Sequence, residues 1–371
     1  MKNEKKIIQE IKKFYWKKEP YVKQNWGNWF HSVSAYVGRI KPAFAHWLIK
    51  ITTNKNDIVL DPFCGVGTVL LECDLLERKS IGVDLSNYAY RICLAKKDRI
   101  GLAKEMEYLD KIKLKYSKNI SSVPQFVKEF YHSKTLKEII ELRDLFLKDN
   151  KDFLLGCLLG IAHGHRNQHL SMRTGYIIPY IPKPKPEIVY KNSIEKLKEK
   201  VQRMYKDQIK GNSKIKVYNK NILNTNLKNS SVDIVISSPP YYNTIDYVHA
   251  NRLRLWFSGV DFDEQKKLSK ELIQDRYNYE KEMTEVGKKL FKCLKKNSLL
   301  VFVLGDVHFS KNNTVNTATV IEKIYLDLGF KKKALINDEI PANRTTIVKF
   351  KGQVALDKKK QKFDRILVMS K

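Results

Sequence analysis

Two short runs in this chain combine residue types that can do chemistry. The first is Asp61-Pro62-Phe63-Cys64-Gly65-Val66-Gly67-Thr68, and the second is Ser238-Pro239-Pro240-Tyr241. In the first, Gly65 and Gly67 permit a tight turn and a close backbone approach to a ligand. Asp84 stands seventeen residues beyond Gly67, where nucleotide-binding folds use an acidic side chain to accept hydrogen bonds from ribose hydroxyls. The third glycine of a dinucleotide GxGxxG turn is absent, since the run continues Gly67-Thr68-Val69-Leu70. Asp61 would set negative charge beside a pyrophosphate, whereas it suits a cationic sulfonium or ammonium ligand. The local chemistry favours S-adenosylmethionine over a nicotinamide dinucleotide.

In the second run, two consecutive prolines cannot continue a strand ladder and force a rigid turn. Such a turn suits transfer to a weakly nucleophilic aromatic amine, which has to be aimed at a methyl carbon in line with the departing sulfur. The Ser238 hydroxyl and the Pro239 carbonyl are acceptors that can hold both amino hydrogens and favour a pyramidal nitrogen. Positioning supplies most of the acceleration in such a mechanism, without a covalent intermediate. Tyr241 offers a face on which a base extruded from a duplex can stack, while Tyr242 either shares that role or packs. Methylation at cytosine C5 would need a cysteine nucleophile, usually preceded by proline. None of Cys64, Cys73, Cys93, Cys157 and Cys293 follows a proline.

The elements that must position these runs follow from hydrophobic periodicity. DIVLDPF (57–63) reads as a strand, 66–78 as a helix and KSIGVDLS (79–86) as the next strand, the opening of a parallel α/β sheet. From about 88 to 210 the spacing is mostly helical. Strand character resumes at 215–223, 232–243, 298–306, 332–341, 345–352 and 364–371. The last two runs, joined by the polar turn around 357–363, read as an antiparallel hairpin closing one edge. The expected fold is α/β and Rossmann-like, a mostly parallel sheet of about seven strands with that edge hairpin and a largely helical insertion. Ligands sit at the carboxyl ends of strands in such sheets. Both runs therefore belong on one rim, although 170 positions separate Thr68 from Ser238.

The 371 residues are long enough to bury a full core. With 70 Lys and Arg against 40 Asp and Glu, the formal charge is +30, which points to a polyanionic partner, nucleic acid before membrane. A Lys-rich composition without a partner is the plainer alternative. Ile7, Ile8, Ile11, Phe14 and Tyr15 fit an amphipathic helix rather than a signal peptide. No stretch approaches the roughly 18 apolar residues of a membrane span. Five cysteines without a CxxC pairing argue against a disulfide framework, so a reduced cytoplasm fits best.

DPFCGVGT resembles motif I of the amino-methyltransferases acting on DNA, VDLS (83–86) their motif II and SPPY their motif IV. GRIKPAFAHWLIK (38–50) is similar to their motif X. The resemblance implies that Asp61, Pro62, Phe63, Cys64, Gly65, Gly67 and Thr68 surround the methionine portion of S-adenosylmethionine, and that Asp84 holds its ribose. It puts Asn221 where the family usually has an Asp beside the adenine amino group. Lys41 and Pro42 fall at the positions that approach the methionine carboxylate, unless Phe44, Trp47, Leu48 and Ile49 simply mark a packing face. Ser238, Pro239, Pro240 and Tyr241 would form the catalytic turn. The Ser form of motif IV is associated mainly with cytosine N4.

The order of motifs resembles family members whose target-recognition region lies between the cofactor half and the catalytic half. The expected division is 1–102 for an N-terminal helical segment with the cofactor half, 103–212 for the insertion and 213–371 for the catalytic half. The implied function is a site-specific DNA methyltransferase acting on cytosine N4 within a restriction–modification system. Its partners would be double-stranded DNA with the target base flipped out and a cognate restriction endonuclease, with no membrane. Adenine-N6 methylation, tRNA guanine-N2 methylation and a catalytically silent nucleic-acid-binding subunit are the alternatives.

Within the insertion, His163, His165, Arg166, Asn167, Gln168, His169, Ser171 and Arg173 are of types that read base edges or phosphates. A metal site and a helix-capping loop are the rivals for the histidines, although amine methylation needs no metal. PKPKP (182–186) reads as an extended basic spacer. Gly305-Asp306-Val307-His308 ends a strand on the ligand edge and either lines the substrate pocket or forms a turn.

Overall fold

The computed structural model describes residues 4–23, 26–174, 178–207, 214–240, 246–273, 278–308, 314–340 and 362–371. The apolar runs become the strands β1 (Ile58–Asp61), β2 (Lys79–Asp84), β3 (Ile215–Asn219), β4 (Val232–Ser237), β5 (Leu294–His308), β6 (Thr314–Asn316), β7 (Lys331–Ile340) and β8 (Lys362–Ser370). They form one sheet in the order β3-β2-β1-β4-β5-β8-β7, with β6 paired to β5 off that path. The five strands from β3 to β5 run parallel, and β8 is antiparallel to both its neighbours. This is the expected mostly parallel Rossmann-like sheet.

The closing hairpin differs in its members. Residues 345–352 lie outside the described residues, and β8 pairs with β7, setting Ile336 against Ile366. β8 then sits between β7 and β5 rather than at the edge. The physical reason is its composition. Ile366, Leu367, Val368 and Met369 are consecutive and all buried, and a run apolar on both faces needs a neighbour on each side and a layer above and below.

Alternation along the strands feeds two layers. Val59, Ile234, Ile236, Val301 and Val368 join α1 (Glu4–Lys12), α2 (Pro42–Thr52) and α3 (Thr68–Leu75) in one cluster, which includes Ile11, Leu48 and Val69. Leu60, Val235, Leu300, Phe302 and Leu367 face the opposite way, towards residues of the later helices such as Leu290 and Tyr325.

The helical stretch comprises α4 (Asn87–Lys97), α5 (Leu102–Asp110), α6 (Gln125–Lys128), α7 (Ser133–Lys148), α8 (Asp152–Ala162) and α9 (Ser193–Met204). Beyond β4 come α10 (Tyr247–Phe257), α11 (Phe262–Glu271), α12 (Tyr279–Cys293) and, after β6, α13 (Thr317–Asp327). α8 is buried all round from Phe153 to Ala162, as a helix apolar on every face has to be. Gly160 lets it lie directly against the backbone of Val33, whose carbonyl oxygen a Cβ there would overlap. The helices between β2 and β3 share one apolar core with Phe30, Val33, Tyr88 and Ile92 and with Leu253 and Leu255 of α10. No helix among the described residues is long and apolar enough to cross a membrane.

Candidate active site

β1 and β4 are parallel neighbours, with Leu60 opposite Val235. Their carboxyl ends therefore bring Asp61 and Ser237 together on one rim. The Ser237 hydroxyl donates to Asp61 Oδ1 at 2.6 Å, and the Phe63 amide donates to the same oxygen at 3.2 Å. Asp61 is buried, and burial raises its carboxyl to about 7 against these two hydrogen bonds. The glycine turn and the double-proline turn are thus joined through the residue that precedes Ser238.

After β1 the chain turns through two left-handed glycines, Gly65 at φ +48° and Gly67 at φ +70°. A Cβ on Gly67 would stand 2.8 Å from Cys93 Sγ, and one on Gly65 would stand 3.3 Å from the Tyr36 ring. Glycine at these positions therefore answers to both conformation and space. Asp84, at the end of β2, accepts from the Gly65 amide at 2.8 Å and from the Ser86 amide at 2.9 Å. Burial raises its carboxyl to about 6. Lys96, itself buried, donates to the Val66 carbonyl at 2.5 Å from beneath the turn. Burial pulls that ammonium down to about 7.

These groups line a cleft with about 960 Å³ of open space, its mouth included. Of the residues singled out in the sequence, Asp61, Pro62, Phe63, Cys64, Gly65, Thr68, Asp84, Asn221, Ser238 and Pro240 lie on its wall. Gly67 and Pro239 are not wall residues and shape the backbone beside it. Tyr241 lies outside the described residues. The Asn221 side chain accepts from the Leu223 amide at 2.9 Å, capping a short 3-10 turn.

Lys41 and Pro42 do not reach the wall, which Gly38, Arg39 and Ile40 form instead. Lys41 precedes the first turn of α2 with Pro42 as its opening residue, and its charge acts on Asp364, helping to hold down a carboxyl that burial raises to about 6. The flanking reading holds for Phe44, Leu48 and Ile49, which are buried in the core beside the sheet. Tyr36, Tyr247 and Ile273 also line the wall and carried no motif. An aromatic just upstream of the Gly38 to Lys50 run was the available signal for Tyr36. Tyr247 had none, because only α10's return to the rim brings it in.

Ser238 donates to the Val303 carbonyl at 3.0 Å, so its hydrogen is directed into the sheet. The Pro240 carbonyl accepts from the Tyr279 hydroxyl at 2.9 Å, which pins the far side of the turn. Asp306 is committed to Arg365 through two bonds of 3.1 and 2.7 Å, the structural outcome for that residue.

The histidine cluster divides. His163 and His169 are buried. His163 Nδ1 is 3.0 Å from Ser171 Oγ, and its carbonyl accepts from Arg254 at 2.6 Å. Burial holds both rings below the usual histidine range, His169 at about 4. His165, Arg166, Asn167, Arg173, Lys183 and Lys185 are exposed. Among the described residues no three His, Cys, Asp or Glu side chains converge as metal ligands.

The cleft fits a nucleoside sulfonium on three counts. It holds two raised carboxylates, glycine backbone bare of side chain, and the Thr68 hydroxyl, buried on the wall without a hydrogen-bond partner among the described residues. Residues 1–97 match a family model described as DNA methylase. Over that stretch the chain is similar to the DNA methylase family. The match takes in Asp61 to Thr68, Asp84 and α4, and ends before α5 and Ser238. A Type II methyltransferase of Methanocaldococcus jannaschii, M.MjaII, is 33% identical over 103 residues, covering 27% of this chain and 19% of that protein. M.EcaI, a Type II methyltransferase of Enterobacter cloacae, is 38% identical over 63 residues, covering 17% of this chain and 14% of its own length. The chain thus spans less than a fifth of these relatives. A solved S-adenosylmethionine-dependent methyltransferase of Methanosarcina mazei aligns over 87% of this chain and 96% of its own at 12% identity, with a TM-score of 0.36.

Proposed function

We propose that this protein transfers a methyl group from S-adenosylmethionine to the exocyclic N4 of cytosine in DNA. The observation that carries the reading is the 2.6 Å bond between Ser237 and Asp61. It ties an acceptor turn suited to an amino group to a loop suited to a sulfonium. Bound in the cleft, S-adenosylmethionine would supply an electrophilic methyl carbon and a neutral thioether as leaving group. Asp61, Asp84, Thr68 and the amides of the Gly65 turn would hold it.

The chain's own part is positioning. Ser238 Oγ, with its hydrogen on Val303, and the Pro239 carbonyl accept from the target amine, which turns the nitrogen lone pair towards the methyl group. The cleft is recessed, so a base has to leave its stack to reach it. The charge of +30 supports a DNA substrate. The exposed His165, Arg166, Asn167, Lys183 and Lys185 support residues 103–212 as the part that reads the target. We read the protein as the modification member of a restriction–modification system, in keeping with the Type II relatives.

Nucleoside mass spectrometry on DNA from a host expressing the gene tests the assignment. N4-methylcytosine is the expected product. N6-methyladenine alone would move the reaction to the other amine, and unmodified DNA with no consumption of S-adenosylmethionine would overturn it.

A further inference from the structure

One wall of the cleft is aromatic and lies outside every motif named above. Tyr36 covers the Gly65 turn, its Cε1 only 3.3 Å from where a Gly65 Cβ would stand. Behind it is Tyr88 of α4, fully buried, with ring centroids 6.2 Å apart and planes at 31°. Tyr88 is held by its own hydroxyl, which donates to the Ala35 carbonyl at 2.9 Å. On the cleft side is Tyr247, the first residue of α10, stacked on Tyr36 at 6.1 Å and 20°. The three rings form a rigid ladder running from α4, through the N-terminal segment, to the helix that follows the catalytic turn.

The phenols of Tyr36 and Tyr247 are both on the cleft wall, and neither oxygen has a hydrogen-bond partner among the described residues. Burial first, and then the charge of Asp84, pushes both phenols above their usual range. Each is thus a fully protonated donor at neutral pH. The side chain they both neighbour, Asp84, occupies the place of a ribose acceptor.

We propose that Tyr36 and Tyr247 are positioning residues whose hydroxyls donate to the nucleoside half of the methyl donor, with Tyr88 locking the pair in place. The inference rests on the donor assignment above and adds residues that no motif names. Calorimetric titration of the full chain with S-adenosylhomocysteine and with 5′-methylthioadenosine, which lacks the amino-acid end, tests it. Tyr36→Phe and Tyr247→Phe keep the rings and remove only the donors. Each is expected to weaken both ligands about threefold to tenfold, the worth of a neutral hydrogen bond. Tyr247→Ala, which also breaks the ladder, is expected to weaken them further.

A Phe variant that loses affinity for S-adenosylhomocysteine but keeps that for 5′-methylthioadenosine would overturn the nucleoside assignment. Unchanged binding of both ligands in all three variants would overturn the inference and leave the donor assignment standing. A wild-type protein that binds neither ligand would overturn both.

Discussion

Ser237 and Asp61 stand 176 positions apart in the chain and 2.6 Å apart in the fold. The bond is buried at both ends, and it is the direct link between the loop at Gly65 and the turn at Pro239. Removing the hydroxyl in Ser237→Ala leaves a buried carboxyl oxygen with only the Phe63 amide. The expected cost is about 1–3 kcal/mol of folding stability, together with weaker binding of S-adenosylmethionine. Urea denaturation and calorimetry on the same variant check both.

Burial raises Asp61 to about 7 and Asp84 to about 6. A carboxyl raised on folding stabilises the ligand-free fold when protonated, and that contribution is lost as pH rises from the unfolded range through about 6 to 7. A cationic ligand prefers the ionised carboxylates, so its affinity rises over the same interval. S-adenosylmethionine should raise the melting temperature more at pH 8 than at pH 5.5. Asp61→Asn should remove the upper part of the dependence. A flat profile in the wild type would contradict the role of Asp61.

On the proposed mechanism, Ser238→Ala removes one of the two acceptors for the target amine without touching the glycine turn. On the scale of a lost transition-state contact, turnover should fall on the order of a hundredfold. Binding of S-adenosylmethionine should persist, and a single-turnover assay paired with a binding titration separates the two quantities. Tyr241→Ala should likewise cut methylation while binding persists.

Lys41 acts on Asp364 and lies off the cleft wall, which Arg39 and Ile40 form in its place. Lys41→Ala is therefore expected to leave the affinity for S-adenosylmethionine unchanged and to raise the titration midpoint of Asp364. Side-chain carboxyl NMR reads the second effect. A large loss of affinity would restore the contact that resemblance to motif X implies.

Gly160→Ala places a methyl group into the Val33 carbonyl. Backbone has to move to admit it, and the expected cost is about 1–3 kcal/mol. Gly259→Ala meets nothing within 4 Å but sits at φ +95°, so any cost there would come from conformation alone. Comparing the two denaturation midpoints, each against the wild type, separates crowding from backbone strain.

While β6 carried no signal and the run 345–352 lies outside the described residues, the sequence by itself determined β1 to β5, β7 and β8, the two turns and the rim they share. Those follow from local facts: apolar runs too short for helices, glycines where the backbone turns left-handed, and prolines where a ladder has to stop. The helix at Glu4–Lys12 was legible in the same way, with Ile7 and Ile11 on its buried face. Only the tertiary structure decided which residues complete the cleft. Tyr247 reaches it because α10 doubles back to the rim, and Lys41, at the start of α2, misses it while Arg39 and Ile40 line it. It also decided that His163 and His169 are packed while His165 is exposed, since alternate residues of one polar run meet different neighbours. The place of β8 between β5 and β7 was settled by packing as well. The apolar run of β8 calls for an interior place, but which strands flank it depends on contacts between distant segments, which no local pattern encodes.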